Sequence, residues 1–363
     1  MSILFRLITT IQETLFPVLE KELAAPLGEK GELFVTVVEL VQPERFIERF
    51  EWRGLGCPRK WRLPILHSFI AKAVWNLATT RALLERLAHD ASLRRLCGWE
   101  RRAQIASEST FSRAFDEFAA GELPQQIHEA LVKKELGEKL IGHVSHDSTA
   151  IDGREKPAPK AVKSEPAAKK RGRAEKEQGR RAAKRLELQP RRTLQENVAE
   201  LPRLCDRGCK RGSKGTRRFW VGYKLHLSTG DGEIPLGAIL SSASLHDSQA
   251  AVPLLQMTAQ RVSSLYDLMD SAYDAAAIDG FSRALGHEPI IDPAGRGKHE
   301  PAPLAPARVV RYRERTAAER VNSDLLDNHG GRMVRVRGAA KVMCHLMWGV
   351  LVVTVKGLVR LLE

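Results

Sequence analysis

Apolar residues in the first part of the chain recur with the period of helices. Over residues 63–96 they lie three and four positions apart, which predicts amphipathic helix. Two further helical patterns cover residues 107–124 and 125–140, and Ser107 or Ser109 is a candidate N-cap of the first. These helices can form a plain bundle or a helix-turn-helix pair that reads DNA, and the pattern favours the bundle.

From residue 141 onward, strand patterns alternate with helical ones. A hairpin followed by alternating helices and strands suits a mixed sheet with helices on its faces, which is how the ribonuclease-H-like fold is built. We therefore predict an α/β protein with an N-terminal helical region over 1–140, a candidate for DNA binding, and a second domain over 141–363. The predicted strands are 141–147, two within 219–247 that meet at a turn over 229–232, 265–269 and 289–291, and the predicted helices are 248–262, 275–285 and 311–328.

The excess of positive charge is confined to one segment. The chain has 363 residues and a formal net charge of +14. Residues 153–218 contain 22 Lys and Arg against 8 Asp and Glu, so this segment carries the whole excess and the rest of the chain balances. Its lack of an apolar period predicts a disordered insertion, and its charge is typical of a segment that grips phosphates. The expected partner is a polyanion, either nucleic acid or an acidic membrane surface.

Cysteine usage and the apolar segments favour a cytoplasmic protein. The five cysteines are scattered and odd in number, unlike a disulfide framework. The first residues lack the charged front end and the cleavage site of a signal peptide. The longest charge-free apolar run, residues 342–355, is short for a membrane span and predicts a buried C-terminal helix. We expect a cytoplasmic protein with no membrane partner.

Three acidic residues stand where a metal-dependent nuclease would need them. Asp147 ends the first predicted strand, Asp270 ends a later one, and Glu319 lies on the predicted helix 311–328. Sites in α/β sheets form beyond strand ends, and two divalent ions between carboxylates stabilise the attacking and leaving oxygens of a phosphodiester. The alternative is structural, because an Asp at a strand end is often only a turn residue or a helix cap.

The residues before Glu319 strengthen the catalytic interpretation. Tyr312, Arg315 and Glu319 are spaced three and then four positions apart, which places the Arg and the Glu one turn apart on one helix face. In a catalytic site the Arg would hold a phosphate beside the metal-bound glutamate. In a purely structural role the two would form an exposed ion pair worth roughly a few tenths of a kcal/mol.

Several segments resemble bacterial insertion-sequence transposases of the DDE group. The segments are HDSTAID, GYKLHL, SSASLHDSQAA, LYDLMDSAYDA, IIDP, RYRERTAAERVN and GGRMVRVRGAAKVMCHLM. They are similar to the insertion sequence four and five relatives, whose signature is Tyr-Arg-Glu-Lys. The resemblance runs from about residue 63 to the C-terminus, and the joint occurrence of LYDLMDSAYDA and YxxRxxxE is highly specific.

The resemblance implies a role for each candidate residue. It places the two catalytic aspartates at Asp147 and Asp270 and the glutamate at Glu319, which would together bind two Mg²⁺ ions, or Mn²⁺ in their place. Tyr312 and Arg315 would occupy the first two places of the signature and contact DNA. The implied enzyme cleaves and rejoins double-stranded DNA at transposon ends and at the target, and it works as a homodimer.

The chain departs from the family pattern at the last place of the signature. Seven residues after Glu319 the signature has a Lys that, by resemblance, contacts the DNA backbone, whereas this chain has Leu326. Losing such a contact would cost about 1.5–3 kcal/mol. The alternative function is therefore a decayed, catalytically weak copy that acts only as a DNA-binding protein.

Five further basic residues are weaker candidates for DNA contact. Lys224 and His226 alternate on one face of a predicted strand, either as DNA contacts or as an ordinary exposed face. Arg332, Arg335 and Arg337 follow a Gly-Gly turn and alternate along an extended segment, which suits phosphate binding.

Other interpretations stay open at this point. His246 and Asp247 either cap a helix or support the site. A ribonuclease-H-like nuclease without transposition would need the same three acids. A basic RNA-binding module is poorly supported, because aromatic residues make up only 6% of the chain and form no motif on the strands.

Overall fold

Six helices precede the first strand in the part of the chain that the structure describes. The computed structural model describes residues 27–50, 60–159, 184–211, 216–295 and 303–362. The helical pattern predicted over 63–96 is divided, because the side chains of Thr79 and Asp90 accept backbone hydrogen bonds and start new helices. The six helices are α1 (Gly28–Val41), α2 (Arg62–Val74), α3 (Thr80–His89), α4 (Ala91–Leu96), α5 (Glu108–Ala120) and α6 (Leu123–Leu136).

The described strands form one mixed sheet. They are β1 (Leu140–Asp152), β2 (Asp206–Arg211), β3 (Arg217–Gly230), β4 (Ile234–Ser242), β5 (Ser263–Met269) and β6 (Glu288–Ile291). Strand β3 pairs antiparallel with β1, β2 and β4, whereas β1, β5 and β6 run parallel to one another. Gly232 turns the hairpin between β3 and β4 with φ of +73°, which glycine tolerates. The order β2-β3-β1-β5-β6, with β4 also paired to β3, confirms the predicted mixed sheet and is consistent with the ribonuclease-H-like fold.

Helices lie on both faces of this sheet. Those that follow β1 are α7 (Arg185–Leu188), α8 (Leu194–Glu200), α9 (Ser248–Ala259), α10 (Ala276–Ala284), α11 (Pro306–Tyr312), α12 (Thr316–Asn328) and α13 (Ala339–Leu362). A 3₁₀ turn over Arg313–Arg315 divides the predicted helix 311–328 into α11 and α12. Apolar residues of α12 and α13 pack on one face of the sheet, and those of α9 and α10 pack on the other.

The C-terminal helix α13 joins the sheet to the N-terminal helices. By length and composition it could cross a membrane, but 83% of its most apolar window is buried inside the protein. Its Trp348 lies 6.5 Å from Phe118 of α5 between ring centroids, so the predicted bundle is built around it. The buried C-terminal helix is thus confirmed. Leu136 and Ile141 belong to one continuous core, and the domain boundary between 140 and 141 stays a prediction.

The basic segment is not wholly a loop. Within 153–218, residues 184–211 form α7, α8 and β2, and the start of β3 also belongs to it. The prediction of a disordered insertion is therefore wrong for this part, because β2 completes a backbone ladder with β3 that a local apolar period does not reveal. Residues 160–183 and 212–215 lie outside the described residues.

Candidate active site

Asp147 and Asp270 lie at corresponding positions on neighbouring parallel strands. His146 of β1 pairs with Met269 of β5, and each aspartate is the next residue of its chain. Asp270 follows the end of β5, as predicted. Asp147 does not end its strand, because β3 continues to pair with β1 as far as Asp152. The expectation that Asp147 ends its own strand is therefore wrong. It is the neighbouring parallel strand β5 that ends beside Asp147, so the Asp147 carboxylate lies where the pairing of β1 with β5 stops.

The surroundings of both aspartates disfavour their ionised forms. Asp147 is 9% exposed, and burial raises its pKa, with the charge of Asp270 adding to the rise. Burial likewise raises the pKa of Asp270, and the charge of Asp247 adds to it. The positive charges of Lys210 on β2 and of Arg315 act in the opposite direction on both pKa values. Partly desolvated carboxylates of this kind are stabilised in their ionised form when a cation binds.

Asn322 is a site residue that the sequence reasoning missed. It lies on α12, and its Nδ2 donates a hydrogen bond to Oδ2 of Asp147 over 3.0 Å. The residue is 6% exposed, and among the described residues its Oδ1 has no hydrogen-bond partner. The only signal in the sequence was its spacing of three from Glu319, which a core residue would share. Asn322 therefore orients the Asp147 carboxylate, and its own amide oxygen is left available to a further ligand.

Arg315 holds Glu319 in this structure. Its Nη2 donates to Oε1 of Glu319, so in this structure the two side chains form the ion pair of the structural alternative, and a hold of Arg315 on phosphate stays a prediction. The side chain of Glu319 is 55% exposed, whereas the charge of Arg315 also acts on Asp147 and Asp270. The guanidinium lies 5.7 Å from the ring centroid of Tyr312. Arg315 therefore contacts Glu319 directly and acts on the two aspartates through its charge, and Glu319 is the most exposed of the three acids.

The oxygen ligands in this site suit a hard divalent cation, although the Glu319 carboxylate is engaged elsewhere. Carboxylate and amide oxygens are ligands that divalent cations such as Mg²⁺ accept, and Asp147, Asp270 and Asn322 supply them. Among the described residues no group of three or more His, Cys, Asp or Glu side chains could hold a metal ion as placed. Glu319 is engaged by Arg315 instead. Binding an ion with all three acids requires Glu319 to leave Arg315.

A buried polar network lies behind the two aspartates. Asp267 of β5 is fully buried and accepts a hydrogen bond from Ser282 over 2.6 Å. Nε2 of His146 and Nδ1 of His287 lie 3.1 and 2.9 Å from its carboxylate oxygens. Burial alone would raise the pKa of Asp267, but the hydrogen bonds from these two rings hold it well below its usual range. Since His146 is on β1, the network ties together the two strands that carry the aspartates.

Lys224 and His226 do not form an exposed face. His226 is fully buried with Nε2 at 2.8 Å from Oγ of Ser241, and burial lowers its pKa to about 4. Lys224 forms an ion pair with Asp247 at 2.8 Å, and its side chain is 12% exposed. The expectation that these two side chains approach DNA from the strand surface is corrected, because α9 packs against this part of the sheet.

Asp247 supports the site and does not cap α9. Its side chain makes no capping hydrogen bond although it precedes the helix. It pairs with Lys224, and its charge contributes to the raised pKa of Asp270. His246 has a separate role, since its Nδ1 lies 2.8 Å from Oγ of Ser248 at the start of α9.

The three arginines after the Gly-Gly turn do not share one environment. Arg332 forms an ion pair with Asp327 at 2.5 Å. Arg335 and Arg337 line a cavity between the N-terminal helices and α13, which Lys72 also lines. Phosphate binding by these residues stays a prediction.

Comparison with known protein families identifies the enzyme family to which this arrangement of acids belongs. The model of the transposase DDE domain matches residues 139–355, which is more than half of the chain and includes the sheet, both aspartates and Glu319. The chain belongs to this transposase family. No curated protein and no solved structure matches it.

Membership of the family indicates the substrate of this transposase and the class of reaction that it catalyses. It acts on DNA as a nucleic-acid-cleaving and joining enzyme, and DDE transposases generally use divalent metal ions. The match does not favour the alternative of a decayed copy that only binds DNA.

Removing the Asn322 side chain is expected to weaken the binding of a divalent ion. Asn322→Ala takes away the hydrogen bond that orients Asp147 and the free oxygen beside it, and the loss of such a supporting partner costs about 10–100-fold in metal affinity. The measurement is Mn²⁺ titration of the purified transposase by calorimetry. Ser323→Ala, the next residue on the same helix and exposed, is the matched control and should bind Mn²⁺ as the wild type does. Equal Mn²⁺ affinity in all three proteins would remove Asn322 from the site.

Proposed function

We propose that this transposase cleaves the ends of an insertion sequence of the group related to insertion sequences four and five, and transfers them to target DNA. Tyr312, Arg315 and Glu319 stand for the first three places of the Tyr-Arg-Glu-Lys signature. The observation that supports the proposal most strongly is the placement of Asp147 beside Asp270 on parallel strands, both with pKa values raised by burial.

In this proposal Asp147, Asp270 and Glu319 hold two Mg²⁺ ions, or Mn²⁺ in their place. When bound, such ions stabilise the charge that builds on the attacking and leaving oxygens of a phosphodiester. Asn322 holds the Asp147 carboxylate in place through its Nδ2. Asp147, which is buried, and Asp270, which is partly exposed, present their carboxylates from two strands that a buried network ties together.

Arg315 has two positions in the proposed cycle. Before DNA binds, its guanidinium is paired with Glu319. A DNA phosphate competes for that guanidinium because Arg recognises phosphate with the same paired N–H donors that it offers to a carboxylate. Transfer of Arg315 from the carboxylate to the phosphate releases Glu319 toward the aspartates. Substrate binding and completion of the ion site are thereby coupled.

Leu326 fills the fourth place of the signature as a packing residue. Leu326 packs at the margin of the core between the sheet and α13. Asp324 on the same helix is neutralised by Lys356 of α13. Leu326 and Asp324 are thus both engaged in contacts within the protein, and in this proposal phosphate contacts are supplied from elsewhere in the chain.

The working enzyme is a homodimer that holds two DNA ends in the cytoplasm, in contact with the nucleoid. Double-stranded DNA is both its substrate and its target.

Incubation with labelled duplexes that carry the ends of the element tests the proposal. We expect cleavage with Mg²⁺ or Mn²⁺ and none with EDTA, followed by joining of the new 3′ hydroxyl to a plasmid. Cleavage without joining would support the rival nuclease that does not transpose. Absence of cleavage with either ion, while the protein still binds the ends, would contradict the proposal.

A further inference from the structure

A cationic cavity lies apart from the carboxylates, between the N-terminal helices and the C-terminal helix. Its volume is about 440 Å³. The basic side chains that line it come from four separate places in the chain: α2, the end of β1, the segment after α12, and α13. They are Lys72, Arg154, Arg335, Arg337 and Lys341.

Lys72 is the unusual member of this set. It is 9% exposed, and among the described residues the structure gives its ammonium neither an ion pair nor a hydrogen bond. Burial of the side chain lowers its pKa to about 8, and the residue lines the cavity without a compensating acid. A lysine in such a position costs stability unless an anion joins it.

The acidic residues that line the cavity do not compensate Lys72. Asp116 is paired with Lys341 at 2.7 Å, and Glu108 is paired with Arg81 at 3.6 Å. No carboxylate among the described residues lies within ion-pair distance of Arg335 or Arg337. The cavity therefore has a net positive charge that the acidic residues lining it do not neutralise.

The cavity also has a fixed relation to the candidate active site. His329, which follows α12, lines it, and Glu319 lies at the other end of the same helix. Ten residues of helix correspond to roughly 15 Å at about 1.5 Å per residue. Phosphates of one DNA strand follow each other at about 3.4 Å along the axis, so the two places are a few nucleotides apart.

We propose that this cavity binds a phosphate group of the DNA backbone a few nucleotides from the bond that is cut, and that Lys72 is its central contact. The inference rests on the proposed function, since it assumes that DNA occupies the carboxylate site at the same time. The cavity takes over the backbone contact that Leu326 cannot make.

The test compares DNA binding by Lys72→Met with that of the wild type, in EDTA so that no cleavage intervenes. The probe is a short duplex carrying the element end, and affinity is measured over a series of salt concentrations. Losing one charged phosphate contact should weaken binding by about tenfold and reduce the slope of log affinity against log salt by about 1. The thermal midpoint of the variant should not fall below that of the wild type, because an uncompensated buried charge has been removed.

Two further variants keep the test decisive. Lys139→Met removes an exposed lysine just before β1, outside the cavity, and should bind as the wild type does. Arg337→Gln removes an exposed cavity residue, so a folding defect is not expected, and it should lower both affinity and slope as Lys72→Met does. If Lys72→Met and Arg337→Gln both bind with the wild-type affinity and slope, the cavity does not contact DNA.

Inorganic phosphate is the second probe. A phosphate that raises the thermal midpoint of the wild type but not of Lys72→Met, with DNA affinity equal in both, would show a site for free phosphate and overturn the DNA assignment. A wild type that binds and cleaves DNA while the cavity variants match it contradicts only this inference. A wild type that neither binds nor cleaves DNA contradicts the proposed function itself.

Discussion

Asp147→Asn is expected to lower the rate of DNA cleavage by about 10³-fold or more. The change removes one negative charge from the ion site, and the charge stabilisation that a bound metal gives the transition state is worth several kcal/mol, each ~1.4 kcal/mol being tenfold in rate. The fold should be kept, because Asn322 can still donate to the amide oxygen at this position. Since burial raises the pKa of Asp147, replacing its carboxylate with a neutral amide should leave the thermal midpoint unchanged or higher.

Asp152→Asn is the matched control for this experiment. Asp152 lies on the same strand, its side chain is 66% exposed, and its nearest basic partner is Arg218 at 3.8 Å. Gel analysis of labelled element ends with Mg²⁺ should show wild-type cleavage for Asp152→Asn and almost none for Asp147→Asn. Cleavage at equal rates by the two variants would exclude Asp147 from the mechanism.

Asp267→Ala is expected to lower the free energy of unfolding by about 3–5 kcal/mol, as for other buried polar partners removed singly. The carboxylate is fully buried, and its removal leaves Ser282, His146 and His287 without their common acceptor. Urea unfolding followed by circular dichroism measures the loss. Asp279→Ala removes an exposed partner of Arg283 and should change the unfolding free energy by less than about 1 kcal/mol.

The effect of Asp267 should also depend on pH. Its pKa is lower in the folded protein than the value of 3.8 that it has in an unfolded chain. A carboxylate whose pKa is lowered by folding stabilises the fold at pH values above the pKa of the unfolded chain. That stabilisation is lost as the pH falls from the unfolded pKa through the folded one. The difference in unfolding free energy between the wild type and Asp267→Ala should thus be largest at neutral pH and become smaller below about pH 4. A difference that grows in acid would mean that Asp267 is protonated in the folded protein.

The regular features of the fold could be read from local patterns in the sequence. Strand and helix periods gave the order of elements from β3 to α12, and the run of apolar residues gave the buried α13. Asp270 was placed correctly because a short apolar strand ends directly before it. The contact between Arg315 and Glu319 followed from helical spacing alone. Such features depend on residues close together in the chain, whose geometry the backbone period fixes.

The contacts that define the site were decided by tertiary structure. Asp147 was misplaced at a strand end, because the length of β1 depends on its pairing with β3, whose partner residues lie about 80 positions later. Asn322 reaches Asp147 across 175 positions, and Lys72 lines one cavity with Arg335 and Arg337 only when α2 packs beside the C-terminal segment. Strand β2 forms because β3 offers it an unpaired edge, although its own residues are mostly polar. A local pattern cannot encode these contacts, since each depends on the free energy of packing elements that are distant in the chain.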